Sequence, residues 1–192
     1  MFNKLCIVAV FAALCMGGSA RPPANAPLTV VKANGGSVRI EFDAGVFVHE
    51  GSTLTKEWFT ANTPDMPVTL LAESGTSIFR SRTLSEYRYK LQVSMNVRSQ
   101  ITAFEIKSVL FDAFGHYIRT IRMSHLSDLP TKPFSTSKDQ PIKDDRADLY
   151  TSFTFISRVR TSTGKVIEAD TDGLFAAAKA VIPSIELKHL LD

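Results

Sequence analysis

The sequence predicts an all-β protein, an antiparallel β-sandwich with a short C-terminal helix. Three observations carry that expectation. Residues 87–97 read Y-R-Y-K-L-Q-V-S-M-N-V, so Tyr87, Tyr89, Leu91, Val93, Met95 and Val97 alternate with Arg88, Lys90, Gln92, Ser94 and Asn96. A period of two buries one face of a strand and leaves the other to solvent. Short β-prone runs separated by Gly, Pro and Asn turns recur along the chain with no βαβ rhythm. The period changes to that of a helix only near Asp172.

The chain opens M-F-N-K-L-C-I-V-A-V-F-A-A-L-C-M-G-G-S-A. Lys4, the apolar run 5–16 and the small residues Gly18, Ser19 and Ala20 have the composition of a secretory signal peptide cut after Ala20. The run falls short of the ~20 apolar residues that span a bilayer. Leu14 stands before Cys15 where a lipobox carries Gly, Ala or Ser. Cys6 and Cys15 leave with the signal, so the expected mature domain holds together by core burial without a disulfide. The formal charge of +3 falls to +2 when Lys4 is removed (3 − 1), too mild to indicate nucleic acid or an anionic surface. The expected organisation is a signal peptide over 1–20, a Pro-rich leader over 21–27, a sandwich over 28–170 and a helical tail over 171–192. No other segment is apolar enough for a transmembrane span, and the expected location is periplasmic or extracellular.

The elements follow in order. Residues 21–27, R-P-P-A-N-A-P, read as an extended leader. Runs 28–32 and 37–42 form a hairpin through Asn34-Gly35-Gly36, residues that tolerate positive φ. Residues 45–49 offer a further short strand. Residues 53–66, with Trp58 and Phe59 among polar neighbours, read as irregular. Runs 67–73 and 77–82 are strands around Ser74-Gly75, and the alternating strand 87–97 follows. Residues 101–112 are richer in apolar side chains, and their phase shifts between Ile106 and Val109, which indicates a bulge or a strand covered on both faces. Gly115 marks a turn, and 116–126 is the return strand. Residues 127–145, with Pro130, Pro133 and Pro141, read as one long loop. Residues 149–160 are a strand with Phe153, Phe155 and Val159 in phase, and T-S-T-G at 161–164 turns it into 165–168. Asp172 caps a helix with Leu174, Phe175, Ala178, Val181 and Ile182 on one face, and Pro183 ends it. Ser184 caps a last turn carrying Ile185, Leu187, Leu190 and Leu191. This apolar tail is expected to pack on the sandwich or on a partner.

A strand ending in Asn96 leads into I-T-A-F-E-I at 101–106 and V-L-F-D-A-F-G at 109–115, and R-V-R-T-S-T-G-K follows at 158–165. Over residues 87–170 this pattern resembles the FxLYD-type and related immunoglobulin-like domains of exported bacterial proteins. In those domains an Asn near a strand end precedes an aromatic-Asp turn closed by Gly. Ser108 stands where that motif carries its first Phe, and the spacing from Asp112 to Gly115 is one residue longer. The resemblance implies an immunoglobulin-like sandwich in an exported setting, and no activity.

Candidate site residues are few. Asp112 with Gly115 fits a turn capped by its own carboxylate. Glu168, Asp170 and Asp172 have the look of a calcium loop, but its twelfth position is Lys179 where such a loop carries a bidentate Glu. These acids suit the positive end of the following helix instead. His49, His116, His125 and His189 show no i, i+4 spacing, and no Cys is left to join them as zinc ligands. Neither a G-x-S-x-G elbow nor a Gly-rich phosphate loop is present. No metal or cofactor is expected. Arg158 and Arg160 share one face of a strand and, with Arg119 or Arg122, can form a basic patch. They are the candidate binding residues, set against a plain role in protecting a sheet edge. Trp58 and Phe59 are either a recognition pair or a plug for the end of the core. The expected function is that of an exported, non-enzymatic sandwich that binds or scaffolds a protein or another envelope component. Residues 127–145 and the tail are its expected contact regions. The alternative is an exported hydrolase acting on glycans or peptides through carboxylates the sequence does not single out.

Overall fold

A computed structural model of the chain describes residues 28–38, 54–81, 86–142 and 149–192. The fold is a β-sandwich of two open sheets with a short helical layer outside the larger one. Strand β5 (Glu86–Val97) is central to the smaller sheet, as the alternation predicts. Tyr89, Leu91, Val93, Met95 and Val97 are buried, while Gln92 and Asn96 face solvent. Each such side chain contributes up to about 1.5–3 kcal/mol by leaving water. The alternation fades at Tyr87, which is 40% exposed.

Three strands pair with β5: β3 (Val68–Leu70), β4 (Gly75–Ser81) and β8 (Pro133–Pro141). Residues 88–92 of β5 pair with both β4 and β8, and 95–96 with both β3 and β8, so β3 and β4 share one edge. The ladder breaks between them. Ser74 bridges the break with its side chain, donating to Ser94 O at 2.8 Å and accepting from Ser94 N at 3.0 Å. Ser94, on the polar row of β5, is buried for that reason.

The larger sheet runs β1-β2-β9-β6-β7, with β10 also paired to β9. Its strands are β1 (Thr29–Val38), β2 (Leu54–Asn62), β6 (Ile101–Asp112), β7 (Tyr117–Leu129), β9 (Leu149–Thr161) and β10 (Val166–Glu168). All its pairs are antiparallel except β2 with β9, which is parallel. The phase shift expected in β6 has its cause here, because both of its faces are covered. Phe104, Ile106 and Leu110 join the core between the sheets, while Val109 and Phe111 face the helices.

Helix α1 (Thr171–Val181) and helix α2 (Leu187–Leu191) lie on that outer face. Leu174, Ala178, Ile182, Ile185 and Leu190 pack with Phe59, Val109, Phe111, Phe153 and Phe155. The apolar tail therefore covers its own sheet.

Several local expectations are corrected. Residues 29–32 and 37–38 belong to one strand, β1, which passes through Asn34-Gly35-Gly36 with a register shift between Asn34 and Ser37 instead of turning back. Glycines absorb such a bulge. Residues 39–42 of the expected hairpin and the expected strand at 45–49 lie outside the described residues. The segment read as irregular holds β2, an interior strand between β1 and β9. A strand packed on both faces shows no alternation to detect. The expected long loop at 127–145 holds the end of β7 and all of β8. Its polar S-T-S-K-D-Q row is stabilised by a nine-residue ladder on β5, and its prolines sit at the strand's two ends. In β9, Phe153 and Phe155 face the helices but Val159 lies in the other core. Ser157 is an extra residue in the register with β6, and it reverses the phase.

The helix caps also differ. Asp170, not Asp172, is the N-cap of α1, and a Cβ on Gly173 would come within 2.5 Å of the Asp170 carboxylate. Glu186, not Ser184, caps α2, and Ser184 Oγ donates to Gly115 O instead.

Trp58 and Phe59 leave β2 on opposite faces. Phe59 is buried under the helices, while the Trp58 ring lies against Gly75 of the other sheet, where a Cβ would sit 2.4 Å away. Beside this close approach, buried hydroxyls link the sheets. Thr76 Oγ1 and Ser108 Oγ are 2.8 Å apart, and Ser108 Oγ and Thr154 Oγ1 are 2.9 Å apart.

Candidate functional site

The helices cover only part of the outer face of the larger sheet. Beyond the end of α2 the register sets Leu126, Ala103, Arg160 and Val166 side by side across β7, β6, β9 and β10. The next row is Ser124, Glu105, Arg158 and Glu168. Small Ala103 forms a floor between taller neighbours, giving a depression of about 230 Å³ walled by Leu126, Glu105, Arg158 and Val166. A second recess of about 380 Å³ shares Ala103, Leu126 and Arg160 and ends at the turn through Ser162 and Gly164. Leu126 is 84% exposed and Val166 53% exposed. The result is a shallow apolar strip bordered by charge.

The two arginines expected to bind are both here, with different surroundings. The Arg158 guanidinium pairs with Glu105 Oε2 at 2.9 Å, and Ser157 Oγ donates to Glu105 Oε1 at 2.8 Å. Burial pushes the Glu105 carboxyl up, but these bonds from Ser157 and Arg158 outweigh it and hold the group below the usual range. Among the described residues, the Arg160 guanidinium has no ion pair or hydrogen bond.

The other arginines of the expected patch serve elsewhere. Arg122 donates to Leu191 O at 3.1 Å, and Lys107 Nζ donates to Leu190 O and Leu191 O, both at 2.8 Å. Together they hold the C-terminal carbonyls of α2, on the row of the sheet that follows Ser124 and Glu105. Burial, with Arg122 adding to it, pushes the Lys107 ammonium down. Arg119 pairs with Leu110, whose side chain is in the core between the sheets, so it leaves by the opposite face.

Asp112 caps its turn as expected. Its Oδ1 accepts the N–H groups of Phe114 and His116, both at 2.8 Å, and its Oδ2 lies 3.0 Å from His116 Nδ1. Burial raises the carboxyl's pKa, but the His116 and Phe114 bonds prevail and lower it. Gly115 has φ of 80°, as a turn closed this way requires. Ser184 comes close to this Asp-His pair, but its hydroxyl donates to Gly115 O. The three side chains clamp a turn, and none is poised as a nucleophile. Phe114 projects from the tip, 86% exposed.

Glu168 ends β10, Asp170 occupies the N-cap position of α1 without a side-chain capping bond, and Asp172 sits in its first turn. Among the described residues no group of three His, Cys, Asp or Glu side chains is placed to hold a metal ion. No helix among them is long and apolar enough to cross a membrane. Sequence reasoning singled out Arg158 and Arg160 as candidates and did not point to Ala103, Leu126 or Val166 beside them. The one available signal was Leu126, a large apolar residue between polar Ser124, His125, Ser127 and Asp128.

No family model and no curated protein matches the chain. Among solved structures, a hypothetical protein from Peptoclostridium difficile 630 is similar over 62% of this chain and 92% of its own. The TM-score is 0.45 and the identity 6%, a likeness too slight to carry an argument.

Proposed function

We propose that the protein is an exported, non-enzymatic β-sandwich that binds or scaffolds another component of the cell envelope, and that the open strip over Ala103 is its contact surface. The observation that carries this reading is the placing of Leu126, 84% exposed, and of Arg160, which has no ion pair or hydrogen bond among the described residues, on either side of Ala103. Leaving a leucine in water on a rigid strand forgoes up to about 1.5–3 kcal/mol that a partner can recover. Arginine beside a small apolar hollow suits a protein interface. The charge of Arg160 selects the partner's chemistry, a protein segment offering an aliphatic side chain next to a carboxylate. The composition of residues 1–20 supports the exported setting. Among the described residues, Glu105 is the one carboxylate lining this hollow, and Ser157 and Arg158 occupy it, so the hollow does not support the hydrolase reading.

Site-specific photo-crosslinking in the producing cell tests the proposal. A photoreactive residue in place of Leu126 is expected to give a discrete protein adduct that Arg160→Glu abolishes. The same residue in place of Gln92, exposed on the other sheet, is expected to give none. Equal adducts from both positions, or an adduct indifferent to Arg160→Glu, would refute it.

A further inference from the structure

His189 is the most buried histidine among the described residues, 4% exposed. Its ring lies flat on Tyr117, with centroids 4.0 Å apart and planes at 2°, and meets Phe111 edge-on at 6.1 Å. Its Nδ1 accepts the N–H of Glu186 at 3.1 Å, while the backbone N–H of His189 donates to Glu186 O at 3.0 Å. This reciprocal cap starts α2, and it requires a neutral ring with its proton on Nε2. A doubly protonated imidazole has no lone pair left for Glu186 N–H, so two donors would then face each other.

We propose that α2 is an acid-released strap, in which protonation of His189 breaks the reciprocal cap with Glu186 and frees the helix from the sheet. The surrounding charges favour release. From the strands, Lys107 and Arg122 already hold the last carbonyls of α2. From α1, Lys179 Nζ donates to Ile185 O at 3.1 Å. On α2 and its flanks stand Glu186, Lys188 and Asp192, with Glu186 paired to Lys188 at 2.8 Å. A new cation at His189 therefore enters a site whose carbonyl acceptors are occupied and whose nearest carboxylate is shared.

The direction of the titration agrees. Burial lowers the affinity of the ring for a proton, and Lys188 adds to that, against Glu186 and Asp192. A histidine whose folded pKa is depressed stabilises docking fully above its unfolded value of about 6.5 and loses that contribution as pH falls through the folded value. Release would bare Val109 and Phe111, which lie on the same face as the open strip and just beyond Lys107. An acid-exposed molecule would thus present a longer apolar surface.

Hydrogen exchange with an NMR titration of the full chain tests the strap. Between about pH 7.5 and 4.5, protection of the amides of α2, corrected for intrinsic exchange, is expected to fall at least tenfold while β5 stays protected. The midpoint should coincide with that of the His189 ring signals. His189→Asn, which retains an acceptor but cannot charge, should keep α2 protected across the range. Should that variant fail to dock α2 even at neutral pH, coincidence of the two midpoints in the wild type decides the matter. Unchanged protection in the wild type, a loss equal in His189→Asn, or midpoints that differ would overturn the proposal.

Discussion

At the scale of single residues, the structure depends on polar side chains that replace missing backbone partners. Ser74 spans the gap between β3 and β4, and Asp112 satisfies two turn N–H groups. The sequence made Asp112 legible, because an acid three residues before a turn glycine has a mechanical meaning. It did not reveal Ser74, whose partner Ser94 is twenty residues away. Asp112→Asn keeps an acceptor but loses the charge, so it should destabilise the protein at neutral pH by about 1–3 kcal/mol. The folded pKa of Asp112 is depressed, so its stabilisation is complete above the unfolded value of about 3.9 and is lost as pH falls through the folded value. The difference between wild type and variant in urea unfolding should accordingly shrink toward acid pH. A constant difference would show that the charge is not what the turn uses.

At the scale of elements, what could be read was what alternates. β5 shows its core face openly because its other face is solvated. β2 and β6 are covered on both faces, and β8 is a polar strand stabilised by backbone pairing, so periodicity located only β6 among these and gave no phase for β2 or β8. The bulge at Ser157 moved Val159 into a different core from Phe155, a change that no local pattern announces. Helix α2 is only five residues long and far too short to persist alone, so its place depends on docking. Leu190 is its buried anchor. Leu190→Ala should cost about 2–5 kcal/mol in denaturant unfolding if the helix is part of the cooperative core. A cost near zero would mean that the helix frays independently of the sheets.

At the scale of the molecule, two sheets and a partial helical layer enclose one core between the sheets and a second beneath the helices. The sequence left the tail to pack on the sandwich or on a partner, and it closes its own fold. What it leaves uncovered is the strip around Ala103, where β6, β7, β9 and β10 meet. Arg158 and Arg160 were legible as a pair on one strand face. The hollow they border was not, since it arises from register across strands distant in sequence and from where α2 stops. The affinity of the partner crosslinked from the Leu126 position, measured for wild type, Leu126→Asp and Arg160→Glu, tests the binding role most directly. At least a tenfold loss, about 1.4 kcal/mol, is expected for each substitution, with thermal stability unchanged because both side chains are exposed. Affinity equal to wild type in both variants would contradict the binding role.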